Sequence, residues 1–249
     1  MSTSSPAVTV LRTEARLFGR EPAALFWVML SPTVLLVILG LIPSFREASD
    51  DLGGRRVIDV YVPVSVLFAL IMAGLQAMPP VLSAYRERGI LRRMSTTPVR
   101  PGTLLTAQLT LHGTSALLSS LLVITVGRLG FGVALPVNLV GYALALLLAV
   151  ACTLSLGAAV CAVSRTQKIA AAVGGAVFFP SMFTAGVWVP VQSMPDTLQR
   201  IVEFSPFGAA SEALDATASG GWPGWFSLGV MALWTVALIG ASVRWFRWE

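Results

Sequence analysis

Charge is scarce in this chain. Asp, Glu, Lys and Arg make up 12% of its 249 residues and hydrophobic residues 55%, whereas about a quarter of a soluble domain is charged. That balance excludes a soluble globular protein and leaves an integral membrane protein. Lysine and histidine occur once each, as Lys168 and His112, and cysteine twice. A phosphate-cradling P-loop needs a glycine-rich turn and a lysine followed by Ser or Thr. Lys168 is followed by Ile169 and has no such turn before it, so the chain cannot hydrolyse ATP by that route. Cys152 and Cys161 are nine positions apart, on opposite sides of one helix, which offers neither a disulfide nor a metal pair. They are packing residues and say little about redox compartment. The formal net charge of +5 would suit nucleic acid, but the cations sit in short loops between apolar runs and no soluble basic domain exists to carry that partner.

Six stretches approach the length of about 20 residues that crosses a bilayer. They are Leu25 to Ile42, Val60 to Ala84, Leu104 to Val126, Pro136 to Val163, Ile169 to Val189 and Trp222 to Val243. The first is short and contains Pro32, so it is tilted, kinked or begins earlier. No charged residue lies near the middle of any stretch, which weakens an ion-driven carrier, because such pumps keep costly ionisable groups at the midplane. The mid-span polar residues are Gln76, Gln108 and His112, the last two one turn apart. They line a pathway or, as is commoner for single hydrogen-bonding groups, join helices. His112 beside Gly113-Thr114-Ser115 superficially suggests an intramembrane serine protease, yet such an enzyme takes its base from a facing helix. A polar contact within the bundle is the better reading of His112. Small residues in Gly157-Ala158-Ala159 and Ala171-x-x-x-Gly175 permit close packing and leave open whether the partner is in this chain or a second copy.

Against that apolar background stands one dense basic island, Tyr85 to Arg100. On a helix, Ile90, Leu91 and Met94 share a face while Arg86, Arg88, Arg92 and Arg93 spread over the other. The pattern is a short amphipathic helix at a membrane surface, stopped by Pro98. Glu87 falls in the apolar face, with Ile90 and Leu91 as its helical neighbours, so its partner lies elsewhere. Residues 1–24 form a polar tail and a second amphipathic helix. Pro6 suits its first turn, with Ser5 as cap. Val8, Val10, Leu11, Ala15, Leu17 and Phe18 cover one side of it, and Arg12, Arg16 and Arg20 the other, as suits a helix lying in the interface. No small-residue cleavage pattern follows, so it is not a signal-peptide flank.

Twelve of the seventeen basic residues fall in the N-terminal tail, the second-to-third and fourth-to-fifth connections, and the C-terminus. By the positive-inside rule these regions, both termini included, are cytoplasmic. The other long connection, residues 190–221, exceeds a simple loop. Ser193-Met194-Pro195-Asp196 reads as a helix start, Leu198, Ile201 and Val202 recur at helical spacing, and Ser205-Pro206 stops them. Phe207 to Ala218 suits a second short helix. Two such apolar helices do better dipping into the membrane interface than floating in water.

The run Glu87-Arg88-Gly89-Ile90-Leu91-Arg92-Arg93-Met94-Ser95-Thr96-Thr97-Pro98-Val99-Arg100 resembles the signature loop of the ABC type-2 export permeases, the membrane subunits of bacterial drug, antibiotic, lipid and polysaccharide exporters, daunorubicin-resistance permeases among them. A second run, Phe183-Thr184-Ala185-Gly186-Val187-Trp188-Val189-Pro190 through Met194-Pro195, Leu198 and Ser205-Pro206-Phe207, is similar to that family's region after the fifth helix. The resemblance implies an all-α membrane protein of six helices, one transmembrane domain over residues 1–249. Its parts would be a cytoplasmic tail and elbow helix at 1–24, a cytoplasmic coupling loop at 85–100, and an external re-entrant hairpin at 190–221 marked by Gly186, Pro190, Pro195, Leu198 and Pro206. The coupling loop would dock on a separate ATPase through Arg86, Glu87, Arg88, Gly89, Leu91, Arg92, Arg93, Thr97 and Pro98. Arg12 or Arg16 on the elbow is the candidate partner of Glu87.

The resemblance further implies a bacterial cytoplasmic-membrane exporter made of two permeases, identical or different, and two ATPase subunits. No cofactor would be bound by this chain, with ATP and Mg on the ATPase. The apolar lining and lack of buried charge lean toward a hydrophobic or amphipathic cargo such as a drug, antibiotic, secondary metabolite or lipid. The alternative, of another class, is a membrane scaffold or immunity protein that transports nothing and uses the basic island to bind anionic lipid.

Overall fold

The structure, a computed structural model, describes residues 6–49, 52, 54–90, 93 and 101–245. Among them there is no strand, and the chain is a helical bundle. Its helices are α1 (Pro6–Phe18), α2 (Pro22–Gly40), α3 (Val57–Glu87), α4 (Pro101–Phe131), α5 (Leu139–Val163), α6 (Gln167–Thr184), α7 (Asp196–Glu203), α8 (Pro206–Ala218) and α9 (Trp225–Trp245). Five of these, α2, α3, α4, α5 and α9, are long and apolar enough to cross a membrane. The span expected at Ile169 to Val189 is a shorter helix that begins two residues earlier: α6 has 18 residues, about 27 Å. It stops at Thr184 because Gly186 turns the chain into the left-handed region, φ 84°, where glycine carries no steric penalty.

Two of the spans contain a wide π turn, Phe26–Leu30 in α2 and Met72–Ala77 in α3. Each lies just before proline, Pro32 in one case and Pro79-Pro80 in the other. A proline ring would clash with the carbonyl four residues back, and the extra residue of a π turn moves that carbonyl aside while the helix continues. In α2 the Ser31 hydroxyl also donates to the Trp27 carbonyl at 2.6 Å. The first span therefore starts before Leu25 and passes through Pro32 without ending.

The centre of the bundle is α3. Within its most apolar window 89% of residues are buried, against 17% for α9. It packs on α2, α4 and α8, and its second half on α5 and α6. In lipid, transfer of apolar surface does not favour one arrangement over the other, so close contact decides. One of the closest contacts is glycine on glycine: a Cβ on Gly157 of α5 would collide with the Gly74 carbonyl of α3. Gly157 thus packs inside the chain, whereas a Cβ on Gly175 of α6 would meet nothing.

Opposite the island, α3 starts in a knot of ion pairs. Arg55 meets Asp215 of α8 at 2.7 Å, and Arg56 meets Asp59 at 2.6 Å. Arg56 also donates to the Phe131 carbonyl at the end of α4. The region from 190 to 221 contains two helices. Pro195 precedes α7, whose Leu198 packs with Val191, Met194 and Val202. Pro206 opens α8, where the Ser205 hydroxyl accepts from the Gly208 amide at 3.0 Å. Buried along most of its length, α8 packs on α5, α9 and α3.

Candidate functional site

The amphipathic helix expected from Arg86 to Thr97 is not continuous at its start. Arg86 and Glu87 are the last residues of α3, and Gly89 follows at φ 66°. Its amide donates to the Arg86 carbonyl at 3.0 Å, a left-handed glycine closing a helix. A helical hydrogen bond resumes from the Arg93 amide to the Gly89 carbonyl at 3.1 Å. Leu91, Arg92, Thr97 and Pro98 lie outside the described residues.

Because Arg86 and Glu87 belong to the long helix, their side chains are aimed by it. Arg86 donates through Nη1 to the carbonyls of Cys161, 3.0 Å, and Ser164, 2.6 Å. These are at the end of α5, where helix carbonyls lack partners and the dipole is negative. Glu87 accepts through Oε2 from the amide of Gln167 at 3.0 Å, the first residue of α6, where amides lack partners and the dipole is positive. Thr166 completes that cap by accepting from the Ile169 amide at 3.3 Å. Two adjacent side chains of opposite sign therefore hold both sides of the turn between α5 and α6. The expected pairing of Glu87 with Arg12 or Arg16 is corrected: Glu87 bonds a backbone amide, and both arginines lie exposed on the outer side of α1.

Helix α1 is held instead by an acid. Glu14 is buried, and its Oε2 accepts from the Tyr85 hydroxyl at 2.9 Å and the Gln108 amide nitrogen at 2.6 Å. The carbonyl of Gln108 then faces Nε2 of His112 at 3.1 Å. Since Gln108 donates toward Glu14, His112 Nε2 carries the hydrogen and donates, which leaves Nδ1 as a bare acceptor. That Nδ1 is buried and has no hydrogen-bond partner among the described residues. Burial pushes the Glu14 carboxyl above the usual carboxylate range, partly opposed by the hydrogen bonds from Tyr85 and Gln108. One chain of side chains thus ties α1 to the end of α3 and the first half of α4. Ser115 takes no part in it, its hydroxyl donating to Leu111 within its own helix, so no serine–histidine pair forms.

Beside this chain lies a cavity of about 570 Å³ between α2, α3 and α6, within the size range of small-molecule sites. Trp27, Met72 and Phe178 are among its apolar walls, and Gln76, Tyr85 and His112 add polar groups. Both π turns contribute to it, through Trp27 and Val28 from one and Met72, Gln76 and Ala77 from the other. Arg88, exposed just beyond α3, stands at its edge with Glu21. Gly186, Pro190, Pro195, Leu198 and Pro206 follow the far end of α6 and join no part of this site.

Glu14 and the turn at Thr166-Gln167 were not apparent as site residues in the sequence. Glu14 had a signal, as an acid lying between Leu11 and Phe18 on the apolar stripe of α1. The Gln167 contribution had none, because its donor is the backbone.

The model of the ABC-2 type transporter family matches residues 7–218. No curated protein matches the chain significantly.

Proposed function

The chain belongs to the ABC-2 type transporter family, and on that premise we propose that it drives export of a hydrophobic or amphipathic cargo when joined to a separate ATPase. It is the permease subunit of an ABC transporter, a multi-pass membrane protein without an ATPase site of its own. The complex would hold two such permeases, identical or different, and two ATPase subunits carrying ATP and Mg. It would lie in a bacterial cytoplasmic membrane with both termini inside, and drugs, antibiotics, secondary metabolites and lipids are the cargo classes it fits.

The observation that carries this reading is the construction of the island. A basic segment begins on the last turn of the most buried span of the bundle and leaves it at Gly89, so a push on that segment is delivered to the end of α3. Arg88, Gly89, Leu91, Arg92, Arg93, Thr97 and Pro98 form the docking face in this proposal. Residues 1–24 act as the elbow, and residues 190–221 as a re-entrant cover at the outer end. The cavity beside Gln76 and His112, with apolar walls, polar groups along one side and Glu21 and Arg88 at its edge, supports an amphipathic cargo. Gly175 and the open side of α6 are available to the second permease.

The test is co-purification followed by transport. The ATPase encoded with this chain should remain bound through detergent extraction, and vesicles holding both should move a fluorescent amphiphile such as rhodamine 6G only with ATP. An isolated permease that retains no ATPase, or that moves the dye without nucleotide, would overturn the proposal.

A further inference from the structure

Arg86 and Glu87 stand first in the segment read above as the docking face, yet both are already engaged inside the chain. Arg86 reaches the carbonyls of Cys161 and Ser164, and Glu87 the amide of Gln167. The charges match the ends they touch, cation to a helix C-terminus and carboxylate to a helix N-terminus. The connection between α5 and α6 is only residues 164–166, so these contacts fasten both helices to α3 at one place. Neither helix is covalently continuous with the island, which leads only into α3 and α4.

We infer that Arg86 and Glu87 are positioning residues for transport: they do not bind the ATPase but clamp the α5–α6 turn to the end of α3. Displacement of the island thereby reaches α5 and α6 as well as α3 and α4. This rests on the proposed function, in which an ATPase moves the island. The clamp gives α6, which walls the cavity with Phe178, a direct tie to the moving end of α3. Without it, α6 would follow only through packing along α3, such as the close approach of Gly174 to the Leu75 carbonyl.

One backbone change isolates the clamp. Gln167 is the first residue of α6, the helical position that tolerates proline best. The preceding Thr166 is extended, φ −130° and ψ 159°, as a residue before proline requires. Gln167→Pro therefore deletes the amide that Glu87 uses and spares the helix, whereas Gln167→Ala changes only a side chain.

Both variants, with Glu87→Ala and the Glu87→Ala/Gln167→Pro double variant, are examined in nanodiscs with the ATPase bound. Amide hydrogen exchange along residues 170–184 is compared between the nucleotide-free and vanadate-trapped states. The parent and Gln167→Ala should show a nucleotide-dependent change in α6. Gln167→Pro should reduce it about 5-fold or more, the lower end of ordinary coupling between linked sites. Glu87→Ala, which removes the acceptor, should reduce it too, the double variant should be no worse than the more affected single one, and ATPase should be retained in all. A parent-like response in Gln167→Pro overturns the clamp and leaves the exporter reading intact. Loss of bound ATPase on Glu87→Ala alone overturns it as well, by making Glu87 a docking residue. If Gln167→Pro fails to fold, Glu87→Ala with full ATPase binding and a parent-like α6 overturns it by itself. A parent that binds no ATPase removes the exporter reading and the clamp together.

Discussion

The two ends of α3 use charge differently. At the Arg55 end, charge chiefly meets charge, Arg55 with Asp215 and Arg56 with Asp59, and Arg56 also reaches the Phe131 carbonyl. The neighbouring carboxylates raise the pKa of both arginines, the hydrogen bond from Arg55 to Asp215 and that from Arg56 to Asp59 being the largest causes. At the Arg86 end, charge meets neutral groups: Arg86 holds backbone carbonyls, Glu87 holds a backbone amide, and Glu14 is held by the side chains of Tyr85 and Gln108. A knot of paired side chains ties neighbouring elements to each other. Contacts to helix ends grip whole helices, because the partner group is the end of a rigid rod. The first arrangement suits a fixed rim, and the second suits the passing on of movement.

Substitutions can break this contrast in order of effect. Gly89→Pro should have the largest, since proline cannot adopt φ 66° and loses the amide bonded to Arg86. ATP-dependent dye transport should vanish, with membrane insertion judged intact by yield and helix content. Glu87→Ala should likewise abolish transport without loss of insertion, and normal efflux from it would sink the coupling role. Arg86→Met leaves the α5 carbonyls without their cation, a cost of about 1.5–3 kcal/mol for a hydrogen bond to a charged group. Thermal unfolding in detergent should register it, together with loss of transport.

At the other end, Asp215→Asn should cost no more than about 1 kcal/mol, as expected for a partly exposed ion pair. It should leave nucleotide-dependent transport near the parent level. A loss comparable to that of Arg86→Met would erase the distinction between the ends. Smallest of all should be Glu14→Gln, which keeps an acceptor for Tyr85 and Gln108 and removes a titration. The folded chain holds the Glu14 proton to higher pH than an unfolded chain does. Its stabilising contribution is therefore full below the ordinary carboxylate pKa and lost as pH rises through the raised value. Comparing melting temperatures from acid to neutral pH should show a shallower decline in Glu14→Gln than in the parent.

Much of this was legible in the sequence. Long uncharged runs announce spans, because lipid forces the backbone to satisfy itself within a helix. Their ends were less so: α3 runs on through Tyr85, Arg86 and Glu87, polar residues that continue a helix as readily as they leave one. The island was found by its composition, and that Glu87 needs a partner off its own helix by its place among apolar neighbours. The identity of that partner was not legible. A backbone amide has the same chemistry at every residue except proline, so only the fold could single out Gln167. Glu14 lay between, visible as an acid on an apolar stripe and outweighed by the arginines around it.

The glycine-to-glycine contact has a mechanical consequence. Gly74 of α3 and Gly157 of α5 touch backbone to backbone, and such a touching point is the natural fulcrum for a rod. Along α3 the handle running from Gly74 to Arg86 is about 18 Å long, and the arm reaching back to Val57 about 26 Å. Because the longer arm ends in the ion pairs of Arg55 and Arg56, a shove at the basic end would bend α3 at that fulcrum, where the wide π turn already loosens the helix, instead of tilting it as one piece.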